Sequence, residues 1–352
     1  DATKFGTIAS PCGKGKATIK ADQAGKGTDK LYIGVGNDRT GVRPGLLQEL
    51  WEATSAFVKW CNAQGGIEGL PLEAVDLNAE VLNVEASMGK ACTGVFALVG
   101  GGWTQDNFAF SGKPGSDFHQ CKMIAFPGIT PSPDMAEASD VVNAMPLPTY
   151  SKPTDAYLGL KQLFPKDIAH FGVVYGTLPS IKAIADQTIA VTKQVDGFGG
   201  FDTFSYDLMS QDWAVIAQQV LDKGTRIALF LGETSNFAKF SQAMRDQGFD
   251  GEIISEANQY DQRLIELGGP GVEGVIVKTP TYPYEEADKW PATKAMVAAL
   301  DEYSPGWIHV GLDAQAWSAS LLFAQSAKKC ADDNGEISRE CVLTAGKAVT
   351  SW

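Results

Sequence analysis

The feature that most constrains the fold is a regular alternation of short apolar runs with amphipathic segments, which begins at Leu31 and occurs twice along the chain. Short apolar runs bounded by turn residues predict buried strands, and apolar residues spaced three or four positions apart predict helices. Strands that alternate with helices form a parallel sheet with helices on both faces. The sequence therefore predicts an α/β fold with two Rossmann-like lobes in tandem.

The first half of the pattern predicts one sheet. Its strands are expected at 31–36, 72–77, 96–100 and 123–128, and its helices at 44–63, at 84–93 and from Thr104 onward. Pro44 suits the first turn of the helix at 44–63, and Gly65-Gly66 ends that helix.

The pattern resumes after Pro146 and Pro148 and predicts a second sheet. Its strands are expected at 169–176, 201–206, 226–232, 252–256 and 274–280, and its helices at 153–164, 179–194, 211–223 and 235–247. Two further helices, at 289–303 and 309–329, have no clear strand between them, so we expect them to fold back on the first lobe.

These boundaries divide the chain into three parts. Residues 1–30 are rich in glycine and lysine and are expected to form an N-terminal arm. Lobe 1 is expected to comprise 31–146 and 281–330. Lobe 2 is expected to comprise 147–280, with 331–352 as an optional addition to it.

Size and charge limit the partners of such a chain. Its 352 residues suffice for two lobes of ordinary size. A formal net charge of −13 would repel nucleic acid and anionic lipid surfaces, so we expect no nucleic-acid partner. No apolar run approaches the roughly 18 residues of a membrane-spanning helix. The chain opens at Asp1 without a signal peptide, as a processed or trimmed chain would.

The sequence lacks the common enzyme motifs. The Gly-Lys pairs before residue 30 lack the Ser or Thr of a phosphate-binding loop, and GVGNDRTG (34–41) has Arg39 where a dinucleotide-binding turn needs its third glycine. No GxSxG or HExxH pattern occurs, and the three histidines have no partner motif. We expect a binding protein without a cofactor; an enzyme is the alternative that turnover of the ligand would reveal.

The cysteines indicate disulfides rather than a metal site. There are six, without a CxxC or a Cys/His cluster, so no metal is expected. Their even number favours three disulfides and an oxidising compartment over buried free thiols. Cys330 and Cys341 bracket a polar loop, which supports that one pair locally.

The run WCNAQGGIEG (60–69) resembles the N-x-x-G-G-I-x-G signature of type I periplasmic solute-binding proteins of the branched-chain amino-acid ABC transporter family. Further blocks resemble that family in their order and spacing: FALVGGG (96–102), IAFPGIT (124–130), FGVVYG (171–176), IALFLGE (227–233) and VEGVIVKTP (272–280). The cysteine-bearing forms resemble its actinobacterial branch.

The resemblance implies a two-lobed protein with a hinge, which closes over a small solute and delivers it to a membrane ABC importer. An amino acid or another small carboxylate is the solute class that it favours. It also implies an extracytoplasmic monomer with a lipid anchor upstream of Asp1. A ligand-sensing receptor ectodomain on the same fold is the alternative. The disulfides implied by the family are Cys12–Cys121, Cys61–Cys92 and Cys330–Cys341.

Candidate ligand contacts in lobe 1 follow its strands. Arg39 or Arg43 would receive a carboxylate by a two-pronged contact, unless it is a solvated loop arginine. In LVGGGWTQDN (98–107), the resemblance implies ligand contacts at Gly102, Trp103, Thr104 and Gln105. Thr104 would cap a helix, and the free amides of 103–105 would bind an anion. The alternative is a tight turn with a packed tryptophan.

The resemblance also assigns the Gly128 carbonyl and the Thr130 hydroxyl to an amino-acid head group. The alternative for this segment is a simple turn.

The same resemblance suggests candidate ligand contacts in lobe 2. They are Tyr175, Thr177, Ser180, Glu233, Glu256 and Asn258. Two departures from the family pattern concern the ligand: the aromatic ring that covers it near Ser180 is missing, and Glu256 lies one place from the position of the acid that meets an ammonium group. Tyr282 would line the hinge or the rim. Each of these residues has a purely structural role as its alternative.

Overall fold

The computed structural model describes residues 4–106, 114–145, 153–208 and 210–351. The chain divides into two units by its internal contacts. Unit 1 comprises Asp1–Pro146 and Thr281–Trp352, and unit 2 comprises Leu147–Pro280. Residues 331–351 therefore belong to unit 1, and their optional assignment to the second lobe was wrong.

Unit 1 is built on a parallel sheet with four strands in its described part. They are β1 (Leu31–Asn37), β2 (Leu72–Asn78), β3 (Ala97–Val99) and β4 (Ala125–Phe126), in the spatial order β2-β1-β3-β4. All seven residues of β1 are buried, as expected for a parallel strand with neighbours on both sides and helices on both faces.

The helices of unit 1 cover that sheet. They are Gln48–Ala63, Val84–Gly94, Pro291–Tyr303, Gly311–Asn334 and Arg339–Lys347, with shorter ones at Asp117–Gln120 and Pro133–Ala136. The rings of Phe5, Phe57 and Trp317 form an aromatic core. The centre of the Trp317 ring lies 5.2 Å from that of Phe57 and 5.8 Å from that of Phe5. Phe5 comes from the N-terminal arm, which therefore contributes side chains to the core of unit 1.

The C-terminal segment is held in unit 1 by a buried arginine. Arg339 donates hydrogen bonds to the carbonyl oxygens of Phe96 at 2.7 Å, Val95 at 2.9 Å and Cys121 at 3.1 Å. Ile337 pairs in parallel with Ile19 of the arm. Because a buried guanidinium must find acceptors, these carbonyls beside the first sheet hold the segment around Arg339 in unit 1.

The disulfides are Cys12–Cys61, Cys92–Cys121 and Cys330–Cys341. The third pair was expected, but the pairs Cys61–Cys92 and Cys12–Cys121 were wrong. Cys61 and Cys92 lie on helices that pack into different hydrophobic clusters, so they do not meet. The arm reaches the end of the helix that carries Cys61, because Gly13 N donates to Gly66 O at 2.7 Å.

Unit 2 is built on a second parallel sheet, with five strands in its described part. They are β5 (Phe171–Gly176), β6 (Gly200–Tyr206), β7 (Ile227–Leu231), β8 (Glu252–Ser255) and β9 (Ile276–Val277), in the order β9-β8-β7-β5-β6. Its helices are Asp155–Leu163, Pro179–Thr192, Trp213–Asp222, Thr234–Asp246 and the shorter Gln262–Gly268. Val173 and Leu229 face one hydrophobic cluster, and Val174 and Phe230 face the other.

The predicted elements agree with this order, and the differences lie at their ends. The helix predicted at 44–63 begins at Gln48, because residues 41–47 form turns. The helix predicted from Thr104 does not begin there: Thr104 and Gln105 lie in a turn, and residues 107–113 are outside the described residues. None of the helices described is both long and apolar enough to cross a membrane.

Candidate ligand-binding residues in the two units

Ligands of open parallel sheets bind beyond the carboxyl ends of the strands. The predicted contacts, apart from Tyr282, follow β1, β3 and β4 in unit 1 and lie at or near the ends of β5, β7 and β8 in unit 2.

The glycines after β3 allow their loop to pack closely against neighbouring segments of unit 1. A Cβ atom on Gly101 would collide with the backbone of Gly36, and one on Gly102 would collide with Ile129. Gly102 N donates to Gly36 O at 2.9 Å, and Gly128 N donates to Gly101 O at 2.8 Å. The space that these glycines leave is therefore filled by neighbouring segments of unit 1.

Trp103 and Gln105 are held by the first sheet. Trp103 is 2% exposed, packs on Gly36, and donates from Nε1 to Leu77 O at 2.9 Å. Gln105 donates from Nε2 to Val81 O at 3.1 Å. Both side chains have the structural role that was the alternative to ligand contact.

The anion position predicted at the loop is occupied by a carboxylate of the protein itself. Thr104 N donates to Oδ2 of Asp38 at 2.7 Å, and Val81 N donates to Oδ1 of the same side chain at 2.8 Å. Burial raises the pKa of Asp38, and the two backbone donors oppose that rise. Sequence reasoning missed Asp38, although an acid directly after a buried strand was a signal for it.

The loop arginines differ in their surroundings. Arg39 donates to Asp76 Oδ2 from Nη1 at 2.9 Å and from Nη2 at 2.7 Å, and its guanidinium lies 4.8 Å from the centre of the Trp51 ring. Arg43 is half-buried in a turn in which Leu46 N donates to its carbonyl at 3.2 Å. Arg39 is thus engaged by an acid of its own unit.

Gly128 and Thr130 follow β4, as predicted. Gly128 has no room for a Cβ atom, which would collide with the carbonyl of Gly100. Thr130 is half-buried, and its hydroxyl lies 3.5 Å from Oδ1 of Asn143. The hydroxyl is therefore close to the surface at the carboxyl edge of the sheet.

At the edge of unit 2, Tyr175, Thr177 and Ser180 lie where β5 passes into the next helix. Tyr175 is half-buried within β5. Thr177 is exposed and donates from its backbone nitrogen to Tyr206 O at 3.1 Å. Ser180 is only 1% exposed, in the first turn of Pro179–Thr192, so its hydroxyl lies inside the unit.

Glu233 and Asn258 follow β7 and β8. Glu233 is half-buried and accepts a hydrogen bond from the Ser235 hydroxyl at 2.9 Å. Asn258 donates from Nδ2 to Gly232 O at 2.8 Å, and Gln259 donates to the same oxygen at 2.8 Å. The amide of Asn258 thus joins the ends of the two strands.

Glu256, predicted to meet an ammonium group of the ligand, meets a lysine of its own unit. Lys278 Nζ lies 2.9 Å from Glu256 Oε1 and donates to the Tyr157 hydroxyl at 3.0 Å. Burial lowers the pKa of Lys278, but the charge of Glu256 and the contact with Tyr157 outweigh burial and raise it overall. Lys278 stays charged and neutralises Glu256. A lysine at the end of the apolar run GVIVKTP was the signal that sequence reasoning missed.

Tyr282 belongs to unit 1. Its ring is 50% exposed and stacks on Trp290, with ring centres 3.5 Å apart and planes 8° from parallel. The stacking partner accounts for the ring without a ligand.

A small cavity lies at the carboxyl edge of the first sheet. Its volume is about 10 Å³, and its lining includes Gly102, Trp103, Asp106, Pro127, Ile129 and Met135. Asp106 is 6% exposed and accepts a hydrogen bond from Ser132 N at 2.9 Å through Oδ1. Within the described residues, Oδ2 of Asp106 has no hydrogen-bond partner. Burial raises the pKa of Asp106 to about 8, against the opposing hydrogen bonds from Ser132.

Each of the two α/β units is built on a parallel sheet, and residues 281–352 complete the first unit. These features define the class of protein: the fold is that of type I periplasmic binding proteins. The chain belongs to the periplasmic binding protein family, whose family model matches residues 30–352. No match was found among curated protein sequences. Among the described residues, no group of three or more His, Cys, Asp or Glu side chains is placed to hold a metal ion.

Solved structures share the fold at low sequence identity. A fatty acid ABC transporter substrate-binding protein from Thermomonospora curvata is 17% identical, with 94% of this chain and 83% of that chain covered and a TM-score of 0.76. The leucine-binding protein LivK from Thermotoga maritima is 17% identical, with 90% of this chain and 87% of that chain covered and a TM-score of 0.71. LivJ from Streptococcus pneumoniae, in complex with isoleucine, is 15% identical, with 90% of this chain and 87% of that chain covered and a TM-score of 0.65.

Proposed function

We propose that this protein is an extracytoplasmic solute-binding protein, which captures a small solute and delivers it to a membrane ABC importer. The observation that carries the proposal is the match of the family model to residues 30–352, which span both units. We further propose that the solute is bound between the two lobes and that a hinge closes them over it, so both lobes contribute contacts.

We propose an amino acid or another small carboxylate as the solute class. The support is that leucine, isoleucine and fatty acids, named for three proteins of this fold, all carry a carboxylate. The proposed contacts are the half-buried Arg43 and Thr130 in unit 1 and Tyr175 and Glu233 in unit 2. The Thr104 amide is not among them, because Asp38 occupies it.

In this proposal the protein has no catalytic activity and no cofactor, acts as a monomer, and is held at the membrane by a lipid anchor upstream of Asp1. Sensing by a receptor ectodomain is the alternative function. Uptake of the bound solute by vesicles that contain the cognate permease supports transport, whereas a requirement for the protein in a signalling response without uptake supports sensing.

A thermal-shift screen over amino acids, carboxylic acids, small amides, sugars and polyamines tests the proposal. A ligand present at about 100 times its dissociation constant stabilises the folded protein by about 2.7 kcal/mol, which is a clear rise in Tm. Recovery of the hit unchanged after incubation supports binding over turnover. If no compound of the panel raises Tm, the proposal of solute binding is overturned.

A further inference from the structure

We propose that the two units rotate against each other at Thr281, where the chain passes from unit 2 back to unit 1. The inference rests on the proposed function as a solute-binding protein with a hinge, and it assigns the rotation at this crossing to one residue. It is carried by the fastening of the crossing segment, residues 279–283, at both of its ends and by the positions of its two prolines.

Lys278 fastens the crossing segment to unit 2. Its side chain is 13% exposed, and its Nζ lies 2.9 Å from Glu256 Oε1 and 3.0 Å from the Tyr157 hydroxyl. Its backbone nitrogen donates to Ser255 O at 2.8 Å, which continues the pairing of β9 with β8. Because a largely buried ion pair is costly to break by removing one partner, residue 278 is held with the second sheet.

Tyr284 fastens the other end of the segment to unit 1. Its hydroxyl donates to Val310 O at 2.8 Å and accepts a hydrogen bond from Ala314 N at 3.2 Å. Both partners lie at the start of the helix Gly311–Asn334, whose first residues are buried. The Tyr284 ring packs against the hydrophobic cluster that contains Trp317. Residue 284 is therefore fixed to the core of unit 1.

The five residues between these ends, TPTYP, form neither helix nor strand. A proline fixes its own φ at about −65°, and it restricts the residue before it to extended conformations. Pro280 and Pro283 are thus restricted themselves, and they restrict Thr279 and Tyr282. Thr281 is the one residue of the segment under neither restriction. A change of backbone direction between the two fastened ends is therefore expected at Thr281.

The boundary between the units falls at the same place. Unit 2 ends at Pro280 and unit 1 resumes at Thr281, as judged by the contacts within each unit. A hinge between two rigid bodies takes up their rotation in a few residues. On the unit 1 side the next residue is already held, because the Tyr282 ring stacks on Trp290 with ring centres 3.5 Å apart. The proline pattern and the contacts therefore indicate the same residue independently.

Distances between a spin label on each unit, measured by pulsed electron spin resonance, test the assignment. The six native cysteines are bonded in three disulfides, so added cysteines take the labels. Lys90→Cys in unit 1 and Lys239→Cys in unit 2 place them at exposed helix positions. The labels report the distribution of distances in the ligand-free protein. They also report the shift that L-leucine causes or, where it does not bind, the shift caused by the compound that raises Tm most in the thermal-shift screen.

Thr281→Pro fixes φ of the proposed hinge residue, and we expect it to reduce both the width of the distance distribution and the shift by about half or more. Thr281→Gly should broaden the distribution, because glycine has more backbone freedom. Thr279→Pro is the matched control, since it restricts a residue that Pro280 already restricts, and it should leave both quantities unchanged.

The outcomes separate this inference from solute binding. Equal effects of Thr281→Pro and Thr279→Pro, or no effect of Thr281→Pro, overturn the hinge at Thr281 and leave solute binding intact. If Thr281→Pro does not fold, Thr281→Gly decides, and an unchanged distribution in that variant overturns the inference. If no compound of the screen binds, solute binding fails, whereas the widths in the ligand-free protein still decide whether the units rotate at Thr281.

Hydrogen exchange tests the fastening at Tyr284. Tyr284→Phe keeps the ring and removes both hydrogen bonds of the hydroxyl, so we expect exchange of the amides at 281, 282 and 284 to accelerate about tenfold or more. Tyr303→Phe, at another half-buried tyrosine of unit 1, is the matched control and should leave these amides unchanged. Equal exchange in the two variants would show that the segment is not fastened at this end and would overturn the inference.

Discussion

The backbone nitrogen of Thr104 donates a 2.7 Å hydrogen bond to Oδ2 of Asp38, a residue 66 positions earlier in the chain. The loop amide that the sequence predicts as part of an anion site is thereby already bonded to a carboxyl group of the protein itself. In the proposed function, ligand contacts from unit 1 would therefore come from other groups, such as the half-buried Thr130 at the same edge of the sheet.

Replacing Asp38 by alanine is expected to destabilise the protein by about 2 kcal/mol or more, because it leaves the backbone amides of Thr104 and Val81 without an acceptor. Glu73→Ala is the matched control: it removes the exposed ion pair with Lys30 and should cost less than about 1 kcal/mol. Urea unfolding measures both changes. Equal losses in the two variants would show that the Asp38 hydrogen bonds contribute little.

The pKa of Asp106, raised by burial to about 8, predicts how stability depends on pH. Between the ordinary aspartate pKa of about 4 and a pKa of about 8, the folded state holds a proton that the unfolded state has lost. The contribution of Asp106 to stability is therefore complete at low pH and is lost as pH rises toward about 8, by at most about 1.4 kcal/mol per pH unit.

Asp106→Asn is expected to remove that slope, whereas Asp134→Asn should keep it. Unfolding free energies measured by urea at several pH values between about 4 and about 8 compare the three proteins. The same slope in the natural protein and in Asp106→Asn would contradict the raised pKa.

The pair Lys278–Glu256 is expected to show strong energetic coupling, because both side chains are largely withdrawn from solvent. A double-mutant cycle with Lys278→Met and Glu256→Gln should give a coupling of about 1–3 kcal/mol in urea unfolding. The exposed pair Lys182–Asp186, in the same unit, should give about 0.3–0.5 kcal/mol. Similar couplings for the two pairs would mean that burial does not strengthen the first.

Thr130→Ala is expected to weaken binding of the solute by about fivefold, since it deletes one proposed hydrogen bond worth roughly 1 kcal/mol. Thr344→Ala, which alters a hydroxyl on an exposed helix face bonded to Glu340 O, is the control and should leave affinity unchanged. Calorimetry with the hit of the screen gives both dissociation constants. An affinity in Thr130→Ala equal to that of the control would remove Thr130 from the binding residues.

The disulfide pairing predicts which peptides remain linked after digestion without reductant. Fragments with Cys12 should carry Cys61, and fragments with Cys92 should carry Cys121. Replacing Cys12 and Cys61 together by serine should lower stability by about 4 kcal/mol, because the closed loop of about 50 residues is long. Replacing Cys330 and Cys341 should cost about 3 kcal/mol. A fragment that links Cys61 to Cys92 would contradict the structure.

Much of the fold could be predicted from local patterns, and less of the candidate site. The strand predicted at 31–36 is found at Leu31–Asn37, and the helix predicted at 84–93 is found at Val84–Gly94. The positions of Thr130 and Glu256 after strands were also predictable. Their partners were not, because Lys278 approaches Glu256 only where β8 and β9 pair.

The sequence by itself determined the alternation of buried strands and amphipathic helices, because a parallel strand covered on both faces must be apolar and a helix on that sheet must be apolar on one side. Tertiary structure decided the pairing of Cys12 with Cys61, the place of residues 331–351 in unit 1, and the hydrogen bond from the Trp103 indole to Leu77 O. Each depends on contacts between segments far apart in the chain. Local periodicity has no information about such contacts, since only packing of the sheet determines which distant groups share a hydrogen bond.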